Sequence, residues 1–432
     1  MMETALSRRG FCSGLMALAA NGLFAASPAV PGAKRLAPWA KGEFQVHFIH
    51  TGAGESQFLV FPDGTTMLLD CPAWQPGLPA RITVPLFPSA KFQAGEWVAR
   101  YVKRVNPNGA DVDYLAVSHF HVDHVGGYHG TGMKRTPEGD YLLSGFALAA
   151  EQLRFRKAID RVGPDFDADF MKPYVPKGGP LENMRTLYRH LAKRDGMVHE
   201  KIRLGARDQV VPRRGGCEGF HVFNFCANGF VADGKGGEVD VLGTDGREML
   251  TKRKSFENPL SAGYVFRYGD FSYGTFGDFN MLWGEGHPQK HVEKNAAPYV
   301  PQLTVAKCNH HACAGSQPSA WIRAVSPRVW VNSVWTQEHA DESILGKLAD
   351  ADLNPRLLAI CPTYFSAARR LQAQERGKKA ILEKMSAACF KGAHVVITVP
   401  PGGKTFRLSQ VDAADEKMTV LNELSCSVQQ TM

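Results

Sequence analysis

Four side chains of the types that commonly bind metal ions stand together in one short segment of the sequence. His119, His121, Asp123 and His124 form the pattern His-x-His-x-Asp-His, and Gly126-Gly127 follow it. Alternate residues of an extended segment project to the same side, so His119 and His121 can bind one ion together. Asp123 and His124 come where the chain turns, and they can face a second ion. Imidazole and carboxylate are ligands that zinc prefers, and they also suit iron or manganese.

The elements around this segment are those of a layered α/β protein. An apolar run at 114–117 precedes the motif and predicts a buried strand. Residues 44–71 predict three strands joined by turns, and the apolar stripe of residues 94–105 predicts a helix. This strand–helix–strand unit would place the ligands at the carboxyl end of a strand, where sites of α/β proteins commonly lie. Asp70, at the end of the third strand, is expected to orient a ligand histidine or, alternatively, to cap a turn.

The metal-binding pattern resembles the signature of the metallo-β-lactamase superfamily. The opening of the chain, with Gly52-x-Gly-acidic-Ser between two strands and Asp70 ending a third, is similar to one branch of it. That branch contains the hydrolase domain of competence (DNA-uptake) proteins and related secreted hydrolases. The resemblance implies an α/β fold, a four-layer αββα sandwich with two metal ions at one edge. We therefore expect one domain over residues 30–432, with a helical insertion at about 128–200.

The resemblance also implies the ligands that lie far from the motif in sequence. Asp278 ends a strand in a Gly-Asp element like that of the branch, whose Asp bridges both metals. His310 and His311 follow another strand, in an element similar to the branch's Lys-x-x-His-His-Gly-Ser. One of the pair would bind the second metal and the other would donate a proton or a hydrogen bond to the transition state, and the sequence leaves the choice open. Our working assignment makes Asp123 and His310 the catalytic residues and takes as metal ligands His119, His121, Asp123, His124, Asp278 and His311.

Two features of the predicted site leave alternatives open. The superfamily usually supplies a third histidine to the first metal from the middle of the chain, although this ligand is often absent in the competence-type branch. The candidates in this sequence are His129, His190, His199 and His221. None sits in a recognisable motif, which leaves occupancy of the first site open. Cys308 and Cys313 flank the histidine pair and could form a Cys/His cluster instead, but no second pair completes a structural zinc site.

The remaining elements are predicted from local pattern alone. Residues 146–159, 182–193 and 367–388 are expected to be helical, the last with a glycine in its middle. Residues 394–408 predict a hairpin that closes an edge of the second sheet. The loops of the 128–200 segment are expected to cover the substrate, and the alternative is that they are decoration.

The first 29 residues are predicted to be an export signal rather than part of the fold. Ser7-Arg8-Arg9-Gly10-Phe11 resembles a twin-arginine motif, and the apolar run at 15–26 is too short to span a bilayer. We expect the twin-arginine export machinery as a partner, a periplasmic or secreted location in a bacterium, and no stable membrane association. A net charge of +8 over 432 residues, without a dense basic block, does not support nucleic-acid binding.

Together these features predict an exported metal-dependent hydrolase. Two divalent ions, zinc first and manganese or iron as alternatives, would lower the pKa of a shared water toward neutrality. The resulting hydroxide would attack a phosphodiester or an ester- or amide-like bond of a polymer or a small molecule. The phosphodiester preference rests on the resemblance alone. The alternatives are a metal-holding binding module or degenerate, non-catalytic member of the fold, and a di-iron oxidoreductase, for which the sequence has no dinucleotide-binding glycine motif after a strand.

Overall fold

The computed structural model describes residues 33–75, 77–79, 81–127, 134–138, 140–165, 179–252, 257–280 and 291–429. Residues from Lys34 onward form one compact unit. Its strands are β1 (Phe44–Phe48), β2 (Gln57–Val60), β3 (Thr66–Leu69), β4 (Asp111–Ala116), β5 (Arg154–Asp160), β6 (Val198–Lys201), β7 (Phe220–Ala227), β8 (Phe230–Ala232), β9 (Glu238–Asp240), β10 (Gly263–Tyr268), β11 (Phe271–Thr275), β12 (Val305–Lys307), β13 (Val329–Asn332), β14 (Ala359–Pro362), β15 (Ala393–Val399), β16 (Thr405–Asp412) and β17 (Val420–Ser427).

Helices connect these strands and cover the sheets. They are α1 (Ala94–Val105), α2 (Val122–Val125), α3 (Phe146–Ala150), α4 (Pro180–Asp195), α5 (Gly243–Lys252), α6 (Val292–Ala296), α7 (Ser319–Val325), α8 (Glu342–Ala349), α9 (Ala367–Glu375) and α10 (Lys379–Glu383). Short 3₁₀ turns lie at Asn258–Leu260, Asn309–Ala312 and Ala387–Phe390. None of the helices in the described ranges has the length and apolar character needed to cross a bilayer.

The strands pair in two sheets that each change from antiparallel to parallel pairing. The first sheet has the order β17-β16-β15-β1-β2-β3-β4-β5-β6, and β3 to β6 run parallel. The second has the order β14-β13-β12-β11-β10-β7-β8-β9, and β11 to β14 run parallel. The carboxyl ends of parallel neighbours lie at one edge of a sheet, so the loops that follow β4, β11 and β12 are placed for a shared site.

Three apolar clusters show how the layers pack. Between the sheets, Phe44 and Tyr114 of the first meet Phe266 and Tyr273 of the second. The outer face of the first sheet packs against α1, α3 and α4, and that of the second packs against α6, α7 and α8. Sheet faces buried on both sides explain the nearly continuous apolar character of strands such as β15. The four-layer αββα sandwich is therefore confirmed.

The unit that delivers the metal motif agrees with its prediction. Helix α1 has the predicted bounds, and β3 and β4 on either side of it pair in parallel, with Met67 opposite Tyr114. Glu96 accepts a hydrogen bond from the Gln93 backbone N–H at the helix start. Asn106 caps the end of the helix: its backbone N–H donates to the carbonyl of Val102, and its side-chain amide donates to the carbonyl of Gly109.

Two of the predicted helices differ from the structure. The helix predicted for 146–159 ends at Ala150, and residues from Arg154 onward form β5 beside β4. A short apolar run is compatible with either a helix or a strand, and in this segment the pairing with β4 makes it a strand. The helix predicted for 367–388 is broken at Gly377, whose φ of +67° ends α9 before α10 begins. The helix predicted for 182–193 is confirmed as α4.

The terminal hairpin was assigned to the wrong sheet. β15 and β16 form the predicted hairpin, but β15 pairs with β1, with Val46 opposite Ile397, so the hairpin extends the first sheet. Local pattern identifies a hairpin but not its distant partner strand. The 128–200 segment supplies β5, β6 and α4 to the sandwich. Residues 128–133 and 166–178 lie outside the described ranges, and their predicted role in covering the substrate stays a prediction.

Candidate metal centre

Three segments that are distant in sequence meet at one edge of the sandwich. The His-x-His-x-Asp-His motif follows β4, Asp278 follows β11, and the histidine pair follows β12. His119 Nε2 lies 3.8 Å from Asp278 Oδ2, and His311 Nε2 lies 3.1 Å from Asp123 Oδ2. The fold therefore brings the residues chosen from the sequence into one cluster.

One group of ligand atoms comes from His119, His121 and Asp278. Their candidate donor atoms lie within 4.8 Å of one another. His119 Nε2 and His121 Nδ1 are 3.1 Å apart, with His119 buried and His121 at the border with solvent. Two imidazole nitrogens that face each other at this distance converge on a common point, as ligands of one ion do.

A second group lies beside the first and shares one carboxylate with it. Its donor atoms come from Glu55, His124, Asp278 and His311, again within 4.8 Å of one another. His124 Nε2 and His311 Nε2 are 3.2 Å apart. Asp123 Oδ2 lies 3.6 Å from His124 Nε2 and therefore borders this group as well. Because Asp278 belongs to both groups, it has the position of a carboxylate that bridges two ions.

The protonation preferences of the cluster fit a cation. Burial lowers the pKa of His119 well below its usual value, so its ring is neutral, as a metal ligand must be. Burial also lowers the pKa of His124, but Asp278, Asp123 and Asp70 outweigh burial and raise that pKa well above its usual value. The carboxylates thus favour a positive charge at this position, which a metal ion supplies in place of a proton.

One buried carboxylate oxygen also indicates that the cluster fits a cation. Asp278 is almost inaccessible to solvent, and its Oδ1 accepts no hydrogen bond within the described part of the chain. Burial raises the pKa of Asp278, but His311 and His124 outweigh burial and lower that pKa well below its usual range, so the group is ionised. This oxygen lies 3.3 Å from His124 Nε2 and 3.6 Å from Lys307 Nζ, and a metal ion bound among these groups would give the buried, ionised oxygen a closer cationic partner. The residues present therefore fit two divalent ions.

Hydrogen bonds to the Nδ1 atoms of His124 and His311 fix the orientation of these two rings. His124 Nδ1 lies 2.8 Å from Asp70 Oδ2, and Ser118 donates its hydroxyl to the same oxygen at 2.6 Å. His311 Nδ1 donates to the backbone carbonyl of Ser333 at 2.9 Å. Each bond places the proton on Nδ1 and leaves the Nε2 lone pair facing the second group. The predicted supporting role of Asp70 therefore matches the geometry.

The structure distinguishes the two histidines that the sequence left equivalent. His310 and His311 have φ values of +45° and +49°, a left-handed turn that is uncommon outside glycine and often marks functional sites. This turn directs the His311 ring into the second group. His310 Nε2 instead lies 3.1 Å from Asn258 Nδ2 and 3.9 Å from Asp278 Oδ2, at the rim. Burial lowers the pKa of His310 to about 4, so its ring is neutral at ordinary pH.

The candidates for a third histidine do not join the first group where the structure describes them. His190 lies against the ring of Tyr141, and His199 pairs with Asp160 at 2.9 Å. His221 lies on β7 opposite Arg267. His129 falls outside the described residues. Cys308 and Cys313 are absent from both ligand groups formed by the described side chains, which argues against the Cys/His cluster.

Sequence reasoning missed several residues of the centre. Glu55 was treated only as the acidic residue of a turn element, although its carboxylate belongs to the second group. Lys307 and Asn258 were given no role, although Lys307 lies 3.6 Å from Asp278 Oδ1 and Asn258 lies 3.1 Å from His310 Nε2. The ring of His339 stacks on that of His311, with centroids 4.9 Å apart. No local motif surrounds His339, so nothing in the sequence pointed to it.

Comparison with known proteins adds little to this geometry. No family model matches the sequence, and no curated protein matches it. One similar solved structure is that of a mutant of CmlA beta-hydroxylase, with 11% identity and a TM-score of 0.33. The match covers 73% of this chain and 50% of that one, so this chain spans about half the length of the protein it matches. A likeness of this size assigns no activity, and the site rests on its own residues.

Proposed function

We propose that this chain is an exported, metal-dependent hydrolase of the metallo-β-lactamase superfamily, related to the competence-type branch. The observation that carries the proposal is the position of Asp278 between two groups of ligand atoms at the edge of an αββα sandwich. His119 and His121 would hold one ion, Asp123, His124 and His311 the other, and Asp278 both. Zinc is the preferred metal for this set of nitrogen and carboxylate ligands, with manganese or iron as alternatives.

Two bound divalent ions supply Lewis acidity and lower the pKa of a coordinated water. The residues of the chain would position the reactants around them. Asp123, with its carboxylate at the border of the second group, would orient the attacking oxygen by accepting a hydrogen bond. His310, held by Asn258 at the rim, is neutral and would donate a hydrogen bond from its ring N–H to the oxygen that becomes negative. The substrate class we propose is a phosphodiester or an ester- or amide-like bond.

A non-catalytic metal-holding protein is the second candidate. The observation that favours it is that the first group has three ligand residues among those described, whereas the second has four with Asp123 beside them. An incompletely held ion would leave the chain with one firm metal and a structural role. This candidate predicts bound metal without turnover.

Metal content and turnover separate the two candidates. The purified full chain is expected to contain two equivalents of a transition ion by mass spectrometry and to hydrolyse bis-p-nitrophenyl phosphate or a chromogenic lactam. Asp278→Asn should abolish turnover and lower the affinity for both ions, whereas Asp160→Asn, a buried aspartate outside the cluster, should leave both unchanged. One or two bound ions with no turnover of either substrate would favour the non-catalytic candidate, and a metal-free product would contradict both.

Export needs its own test. If residues 1–29 are a twin-arginine signal, the double substitution Arg8→Lys and Arg9→Lys keeps the charge and should hold the chain in the cytoplasm. Fractionation of cells that express each form measures this. Equal export of the two forms would contradict the proposed route.

A further inference from the structure

A cleft lies at the same sandwich edge as the metal centre, two strands away from the His-x-His motif. β4, β5 and β6 run parallel, with Ala116 opposite Ile159 and Asp160 opposite Lys201. Their carboxyl ends therefore point to the same edge. Neighbouring strands are about 4.8 Å apart, so the end of β6 lies roughly 10 Å from the end of β4.

The lining of this cleft includes three basic side chains. Its volume is about 530 Å³, and its walls include Lys201, Arg203, Asn228, Phe230, Glu238 and Arg247. The Arg247 guanidinium lies over the Phe230 ring, 4.3 Å from the centroid, and is thereby held in place. The lining thus carries three cations and the carboxylate of Glu238, and Asp208 and Asp240 pair with its two arginines, so a negatively charged group would bind here by joining or displacing these carboxylates.

The arginines of the cleft are available to a ligand although each has a carboxylate partner. Arg203 pairs with Asp208 at 2.9 Å, and the two side chains are 55% and 74% exposed. Arg247 pairs with Asp240 at 2.8 Å, and these two side chains are 29% and 36% exposed. Exposed ion pairs contribute little free energy, so an oxyanion can replace or join these carboxylates at small cost. A guanidinium binds phosphate or carboxylate through two parallel hydrogen bonds.

Buried hydrogen bonds connect the floor of the cleft to the metal-binding loop. Asn228 of the cleft donates to the Arg161 carbonyl at 2.8 Å and accepts from Arg161 Nη1 at 3.2 Å. Arg161 is fully buried and forms an ion pair with Glu257, at 2.5 Å. Glu257 in turn accepts a hydrogen bond from the backbone N–H of Phe120, between His119 and His121. The cleft and the metal centre are therefore parts of one rigid edge.

We propose that this cleft binds an anionic group of the substrate, a phosphate or a carboxylate remote from the bond cleaved at the metals and at the same edge of the sandwich. This inference rests on the proposed function, because it names a feature of the substrate of the same site. It predicts that the hydrolase acts on anionic small molecules and that Arg203 and Arg247 contribute to substrate affinity rather than to the chemical step.

Protection of individual arginines from chemical modification tests the inference without any turnover. The full, metal-loaded chain is labelled with phenylglyoxal at constant ionic strength, with increasing inorganic phosphate or increasing succinate, and each site is quantified by peptide mass spectrometry. Arg376 is a matched internal control, since it is also 55% exposed and pairs with one carboxylate, Glu342, at 3.0 Å. At an anion concentration ten times its Kd, labelling of Arg203 and Arg247 should slow about tenfold, while Arg376 is unaffected.

The outcomes separate this inference from the proposed function. Protection by phosphate alone indicates phosphorylated substrates, protection by succinate alone indicates carboxylates, and protection by both indicates that either group is accepted. Equal labelling of Arg203 and Arg376 at every concentration of both anions would overturn the anion site, even if the chain hydrolyses a substrate. Protection in a chain that hydrolyses nothing would leave the anion site standing and remove the proposed function. With an active substrate, the double variant R203Q/R247Q should raise KM and leave kcat unchanged, and R376Q should change neither.

Discussion

Lys307 Nζ lies 2.5 Å from Glu55 Oε2, and neither side chain reaches solvent. Lys307 also donates to the carbonyl of Gly277 at 2.7 Å and lies 3.6 Å from Asp278 Oδ1. Burial lowers the pKa of Lys307, but Glu55 and Asp278 outweigh burial and raise that pKa, so the amine keeps its charge. A fixed cation therefore lies beneath the proposed bridging carboxylate and offsets part of the negative charge gathered there.

Removing this cation should destabilise the chain strongly. Lys307→Met leaves Glu55 buried without its partner, and breaking one side of a buried pair typically costs about 3–5 kcal/mol. Urea unfolding in the presence of a chelator measures the loss. With saturating zinc the loss should be smaller, because the variant's cluster is more negative and should bind the metal more tightly, so that zinc stabilises the variant more than the wild type.

A surface pair of the same length gives the control. Lys34 Nζ also lies 2.5 Å from a carboxylate, that of Glu423, but the Lys34 side chain is 63% exposed. Lys34→Met should have little effect, because exposed ion pairs contribute little. If Lys307→Met and Lys34→Met cost the same, the buried pair does not have the role assigned to it.

Asp70 should act on the metal through His124. Asp70→Asn weakens the bond that holds the His124 ring, and loss of such an outer partner lowers metal affinity about 10–100-fold. Competition with a zinc chelator measures this affinity. Asp160→Asn is a matched control, because Asp160 is also buried and also pairs with a histidine, His199 at 2.9 Å, outside the metal centre. Equal losses in the two variants would mean that a general structural effect is being measured.

The neighbouring His310 and His311 should differ in what their loss removes. His311→Ala takes away a ligand of the second group, so the chain should lose affinity for one ion by more than the roughly 10–100-fold expected for an outer partner. His310→Ala should keep both ions and lower kcat by about 10²–10³-fold, the usual effect of removing one hydrogen-bond donor to a developing negative charge. His190→Ala, on α4 outside the centre, should change neither. Metal loss in His310→Ala with full content in His311→Ala would reverse the assignment.

The sequence predicted the part of the centre that is local in the chain. His119 and His121 face one point whenever their segment is extended, so their spacing alone was enough to predict that the two rings lie together. Asp278 and His311 required the resemblance, because strands separated by more than a hundred residues bring them to the motif. Glu55 could not be found from pattern, since an acidic residue after Gly54 reads as a turn. His339 reaches His311 only through tertiary packing, which no local feature encodes.

The helices and strands likewise divide into those that local pattern predicts and those that depend on pairing with a distant strand. Helix α1 has an amphipathic stripe and a polar stop, and its bounds were predicted to the residue. β5 was taken for a helix, because the apolar residues of 154–160 fit both periods until β4 pairs with them. The terminal hairpin was found as a unit but placed in the wrong sheet, since its pairing with β1 spans almost the whole domain.

Glu293 should make the stability of the chain fall as pH rises. The side chain is buried, and burial raises its pKa from 4.5 to about 8, although its Oε1 accepts hydrogen bonds from Asn309 and Gln317. Between these two pKa values the folded state keeps a proton that the unfolded state has released. Stability due to this group is therefore present below the unfolded pKa and is lost toward the folded one, at up to about 1.4 kcal/mol per pH unit.

Glu293→Gln removes the ionisation and keeps the shape. The variant should match the wild type below the unfolded pKa, near pH 4, and become the more stable protein as the pH approaches about 8, where the wild type has lost most of its contribution. Urea unfolding at a series of pH values measures the difference in free energy. Glu375→Gln, at an exposed position at the end of α9, should follow the wild type throughout. The same slope in the wild type and in Glu293→Gln would show that Glu293 is already ionised in the folded protein, held by Asn309 and Gln317.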